Sequence, residues 1–221
     1  MPMIRARAAV AAAAGLLAGC ATAVPGTATW PGAVLNAAML GAGDFPPAAQ
    51  YDRIIERPGV PDGADGPGSM LSRPEGCSNA LTNVISKSAQ RGPGSAAKYA
   101  VSYDGARMVM TLLSWNLDLD TLHAAAERCA KFEAFFDPGA EGIPITTVEL
   151  PGLEPGALGY QQTMKLNDAS TSVFMAFQNI GGRAVFGVAF PTPNSAIAAK
   201  AELPQTFLEI FAKQVAKLKD Y

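Results

Sequence analysis

His123 is the only histidine in the chain, and it stands one helical turn before Glu127. An imidazole is the side chain best placed to move a proton near neutral pH. To do so it needs a nucleophile, a metal or a second acid–base group within hydrogen-bond reach. The sequence contains neither Gly-x-Ser-x-Gly nor His-Glu-x-x-His. His123 therefore reads as a flank residue paired with Glu127 at i,i+4 spacing. Glu127, Glu133, Asp137 and Glu141 lie close together in the chain. Two facing carboxylates are what glycoside hydrolysis uses, and they carry the enzyme alternative, an envelope hydrolase. Asp62 and Asp65 sit among glycines and prolines with no calcium-loop spacing, and Asp-Gly pairs form turns. The sequence names no catalytic residue, no cofactor and no metal ligand.

Cysteine chemistry is more informative. Leu17-Ala18-Gly19-Cys20 follows Arg5, Arg7 and an apolar run, Ala8 to Leu17, interrupted only by Gly15. That run suits a signal segment and is too short to remain as a membrane-spanning helix. The four residues resemble the lipobox of bacterial lipoproteins. The resemblance implies cleavage before Cys20, diacylation of its sulfur and attachment to the extracytoplasmic face of the cell membrane. Two or three acyl chains, at about 0.8 kcal/mol per buried methylene, make a stable anchor. With Cys20 a thioether, Cys77 and Cys129 remain as an even pair in an oxidising compartment, where a disulfide is expected. The bridge would contribute roughly 4 kcal/mol in the chain-entropy model.

Of 221 residues, 49% are hydrophobic and 16% charged, with a formal net charge of −2. This is the composition of a chain with a real core. Removal of Arg5 and Arg7 with the signal segment makes it more acidic. No Lys/Arg cluster is left to serve as a nucleic-acid footprint. The organisation expected is a signal peptide over 1–19, a lipidated Cys20 with a Pro- and Gly-containing tether over 20–44, and one folded domain over 45–221.

Hydrophobic period and turn residues predict the elements of that domain. Strands are predicted at Tyr51 to Arg57, Phe132 to Phe136, Ile145 to Leu150 and Ala157 to Leu166. Helices are predicted over Ala33 to Leu40, Ser78 to Gln90, Leu119 to Lys131 and Leu203 to Lys219. The middle two carry Cys77 at a start and Cys129 at an end. Asp104-Gly105 predicts a hairpin with a two-residue type I′ turn. It puts Tyr99, Val101, Tyr103, Met108, Met110 and Leu112 on one face, and Lys98, Ser102, Arg107 and Thr111 toward water. Gly181-Gly182 predicts a second hairpin, Ser172 to Phe190, closed off by Pro191-Thr192-Pro193. It is apolar on both faces, as in the centre of a sheet. Phe174, Ala176, Phe177 and Phe186 on these strands are candidate lining for a greasy ligand, with packed core as the plainer reading.

A lipobox, a small-residue tether, the helix start Pro74-Glu75-Gly76-Cys77, a hairpin, Ala125-Ala126-Glu127-Arg128-Cys129, and an aromatic-rich hairpin before a last helix follow in that order. Together they are similar to a group of mycobacterial lipoproteins with a sensor-like domain. That domain is related to the extracellular part of a receptor serine/threonine kinase. The resemblance covers about Phe45 to Lys219. It implies an α+β fold with helices against a mostly antiparallel sheet, here of about five to seven strands, and a role in binding. The kinase's domain is expected to carry two bridges where this chain has cysteines for one, and no kinase domain is present. The expected partners are the membrane, through the anchor, and an apolar or amphipathic envelope ligand, a glycan or an envelope protein. A purely structural envelope lipoprotein is the remaining alternative.

Overall fold

The computed structural model describes residues 31–55, 70–83 and 94–221. Cys20, its preceding signal, Trp30, Asp62, Asp65 and most of the predicted Ser78–Gln90 helix lie outside these residues. Residues 80–83 are helical. No described helix is long and apolar enough to cross a membrane.

One antiparallel sheet of nine strands organises the described chain. In chain order the strands are β1 (Gln50–Ile54), β2 (Leu71–Arg73), β3 (Ala96–Tyr103), β4 (Gly105–Leu113), β5 (Lys131–Phe135), β6 (Ile143–Glu149), β7 (Ala157–Leu166), β8 (Ala169–Ile180) and β9 (Arg183–Thr192). Their order across the sheet is β1-β3-β4-β9-β8-β7-β6-β5-β2. Nine strands exceed the five to seven expected. The surplus comes partly from β2, three residues whose identity as a strand depends on pairing with β5. Chain neighbours form hairpins from β5 to β9, and β4 against β9 joins the two predicted hairpins into one sheet.

The helices are α1 (Pro31–Ala38), α2 (Leu119–Arg128) and α3 (Gln205–Lys219), with a 3-10 turn at Ala42–Asp44. α1 and α3 cover one face, burying Tyr99, Val101, Met108, Met110, Phe174 and Ala176 with Phe207, Phe211 and Leu218. α2 covers the other, over Leu113, Tyr160, Met175 and Phe177. Asp118 caps α2 by accepting from the Thr121 N–H at 3.0 Å. Gly187 allows the close approach of α3: a Cβ there would lie 2.8 Å from Met110 Sδ and 3.0 Å from Phe207.

Four expectations need correction. Residues 31–44 are part of the folded body, because Leu35, Ala38, Met39 and Leu40 are buried in the core under α3; the folded region begins well before Phe45. The Asp104-Gly105 hairpin keeps its register, Tyr103 opposite Ala106. Its turn is not type I′, since Gly105 has φ 102° but Asp104 does not have a positive φ. Asp104 is held from elsewhere: its N–H donates to Ala199 O at 2.8 Å and its carbonyl accepts from the Ala201 N–H at 3.1 Å. Its carboxylate accepts from the Asn194 N–H and pairs with Lys200. Lys98 and Thr111, expected in water, are buried. β3 and β4 lie inside the sheet, so only the turn end of that face, at Arg107, reaches solvent. Finally, Pro191 does not end its strand, because β9 runs to Thr192 beside β4. What stops near Pro191 is pairing with β8, whose last partner pair is Phe174 with Ala189. Proline has no N–H to offer that side of the ladder.

Candidate functional site

The cysteine pair defines the best-formed site. Cys77 and Cys129 are at disulfide distance, with Cα atoms 5.4 Å apart across 52 residues of chain. Both are buried, with Phe132 and Ala134 in the same small cluster. The segment that carries Cys77 is also held by side chains. Ser72 Oγ accepts from the Cys77 N–H at 2.8 Å and the Ser78 N–H at 3.2 Å, and donates to the Pro74 carbonyl. Ser78 Oγ donates in turn to the Met70 carbonyl. Cys129 follows α2 directly, so the bridge fixes the 76–83 segment against that helix.

A surface cavity of about 370 Å³ lies along this seam. Ala80, Ala124 and Ala125 line it with methyl groups, while Gly76, Asn83, Thr121 and Arg128 complete the wall. Small side chains on both sides keep it open. Arg128 stands at the bridge: its Nη1 donates to the Glu75 carbonyl at 3.2 Å and lies 3.5 Å from Cys77 Sγ. None of the described carboxylates is in ion-pair contact with it. A second cavity, of about 200 Å³, belongs to the β6–β7 turn, between Leu150, Leu153 and Tyr160.

His123 is on the flank of α2, with Nε2 3.6 Å from Glu127 Oε1. Its Nδ1 also meets the Tyr160 hydroxyl at 3.1 Å, a contact invisible in sequence because Tyr160 comes from β7. Burial, reinforced by the Glu149 and Glu127 charges, pushes the Tyr160 phenol up to about 12. The phenol therefore remains protonated at neutral pH, and the trio holds α2 to the sheet. The four carboxylates of the enzyme alternative come from α2 (Glu127), β5 (Glu133) and the connection between β5 and β6 (Asp137 and Glu141). Glu127 lies on α2, above one face, whereas Glu133 on β5 points to the opposite face from its buried neighbours Phe132 and Ala134. Asp137 accepts from the Gly139 N–H in a turn. Among the described residues no group of three His, Cys, Asp or Glu side chains could hold a metal.

Phe174, Ala176, Phe177 and Phe186 do not share one surface. Phe174 and Ala176 are buried against α3. Phe177 and Phe186 stack on each other under the α2 face, ring centroids 5.0 Å apart. Neither cavity is lined by any of the four. Sequence reading passed over Ser95-Ala96-Ala97-Lys98, which spells Ser-x-x-Lys. It enters β3, and residues three apart on an extended strand face opposite sides, so the spelling does not bring hydroxyl and amine together. It also passed over Arg128, whose place beside the bridge follows only from the cysteine pairing.

No family model matches the chain, and no curated protein does. A solved structure overlaps with it: an uncharacterized protein of Mycobacterium smegmatis, an Rv0999 ortholog. The identity is 14% and the TM-score 0.46, over 80% of this chain and 92% of that one. A likeness at that level decides neither family nor function.

Proposed function

We propose that the chain is a lipid-anchored protein of the cell envelope whose folded domain is a non-catalytic binding module. The observation that carries the binding role is the cavity of about 370 Å³ along the Cys77–Cys129 seam. It falls within the size range of small-molecule sites, and the Cys77–Cys129 pair and the Ser72 bonds tie its two sides together. The Leu17–Cys20 lipobox resemblance supports the anchor. A cysteine pair at disulfide distance suits an exported chain. The domain serves as sensor or carrier for an envelope lipid, glycan or protein, and any signal passes through a partner.

Two measurements test this reading. Cys20→Ala should abolish partition of the protein into detergent with membrane material; partition equal to the wild type defeats the anchor. The full-length protein, incubated with a total envelope extract and examined by native mass spectrometry, should carry a discrete small-molecule adduct. A bare mass across all extracts defeats the small-molecule role.

A further inference from the structure

The chemistry around the seam cavity selects among ligands. Ala80, Ala124 and Ala125 offer only carbon. Arg128 is the one lining residue with a full charge. A guanidinium has five N–H donors in a planar fork, and among the described residues Arg128 is engaged through Nη1, at the Glu75 carbonyl and the Cys77 sulfur. A carbonyl and a disulfide sulfur neutralise nothing, and none of the described carboxylates pairs with this arginine. The Nη1 contacts hold the fork beside the bridge, on the wall of the cavity. Its remaining donors match two oxygens of a carboxylate, sulfate or phosphate, the planar recognition for which arginine is suited and lysine is not. Thr121 Oγ1 already donates to Asp118 Oδ2 at 2.6 Å, which leaves Arg128 as the principal donor on that wall.

We infer that this cavity binds an oxyanion carrying a small apolar group: the oxyanion on Arg128, the apolar part on the alanine methyls. The inference deepens the binding-module reading and rests on it. Free anions and the heads of anionic amphiphiles share the first half of this chemistry. The methyl-lined wall favours the second.

The test uses the full-length protein in neutral nanodiscs with labelled alanine methyls, titrated with phenyl phosphate, inorganic phosphate and phenyl glucoside. Phenyl phosphate should shift the Ala80, Ala124 and Ala125 methyls saturably and bind more tightly than inorganic phosphate. Phenyl glucoside should leave them in place. Arg128→Gln should weaken phenyl phosphate at least tenfold, and Arg128→Lys should not restore it. Ala124→Phe, which fills the space and keeps the charge, should weaken it as well. Unchanged affinity in Arg128→Gln with dispersed alanine methyls preserved, equal response to the glucoside, or inorganic phosphate binding as tightly as phenyl phosphate each overturn the inference. If extract adducts persist while phenyl phosphate ignores Arg128, the ligand class is wrong and the binding module stands. If no extract leaves an adduct, the small-molecule role on which this inference rests fails.

Discussion

Tyr99 shows how burial can set one side chain against its surroundings. Its ring is fully buried beside Tyr51, 5.5 Å between centroids, and tilts against Phe45. Its hydroxyl has no hydrogen-bond partner among the described residues, and burial pushes the phenol far above its ordinary range. Tyr51 differs, because its hydroxyl donates to the Leu40 carbonyl at 2.9 Å. A buried polar group without a partner costs about 1–3 kcal/mol, whereas a satisfied bond contributes about 1 kcal/mol. Tyr99→Phe should therefore raise the stability measured by urea unfolding, and Tyr51→Phe should lower it. The opposite order would mean that the Tyr99 hydroxyl is satisfied in solution. No sequence pattern distinguishes these tyrosines: both alternate correctly for strands, and only the neighbouring backbone supplies or withholds an acceptor.

At the scale of elements, the joint between α1 and α3 is held by polar contacts inside an apolar stripe. Gln214 is fully buried. Its Nε2 donates to the Ala38 carbonyl at 2.8 Å, and its Oε1 accepts from the Leu40 N–H at 3.0 Å. Lys217 Nζ donates to the Met39 carbonyl at 2.8 Å, and Lys213 and Lys217 both face Asp44. Gln214→Ala would strand two buried backbone groups, and should cost about 2–4 kcal/mol and speed amide exchange at Leu40. Unchanged exchange would detach Gln214 from this role. The Gly41 N–H bond, helped by Lys217 and Lys213, holds the Asp44 carboxyl below its usual value. A carboxyl with a lowered folded pKa stabilises the fold above its unfolded value, near pH 4. That contribution is lost as pH falls through the folded value. Asp44→Asn should thus reduce stability at pH 7 and flatten its fall on the acid side. Equal acid sensitivity in both proteins would contradict the assignment. The periodicity of α3 was readable as Phe207, Phe211, Val215 and Leu218. A glutamine among them was not readable as a latch, because its partners are backbone groups more than 170 residues away.

For the molecule as a whole, the Cys77–Cys129 bridge ties the β2 edge of the sheet to α2. Without it, the 76–83 segment loses its covalent tie to α2 and relies on non-covalent contacts, among them the Ser72 and Ser78 bonds, the Arg128 contact with Glu75 and the burial of Ala80 and Leu81. Cys129→Ser should cost about 2–5 kcal/mol and open the seam cavity, read as loss of phenyl phosphate binding before the global unfolding midpoint. Thiol titration of the unfolded, unreduced wild type should find no free thiol. Two reactive thiols, or a variant as stable as the wild type, would remove the bridge from the account.

Local patterns by themselves determined the strands and helices with strong period, the two hairpin registers, the inward face of Tyr99 to Leu112 and the cysteine pair. These depend on neighbours in the chain and on the chemistry of two residues. Tertiary structure decided what depends on distant partners. It joined the hairpins through β4 and β9, buried Lys98 and Thr111, reset the Asp104 turn through residues 194–201, and drew residues 31–44 into the core. It also split Phe174 and Ala176 from Phe177 and Phe186, because successive strand residues face opposite sides and both sides of this sheet are covered. The cavity belongs to the same class: it exists because the bridge sets alanines of two segments against each other, and no spacing within either segment encodes that.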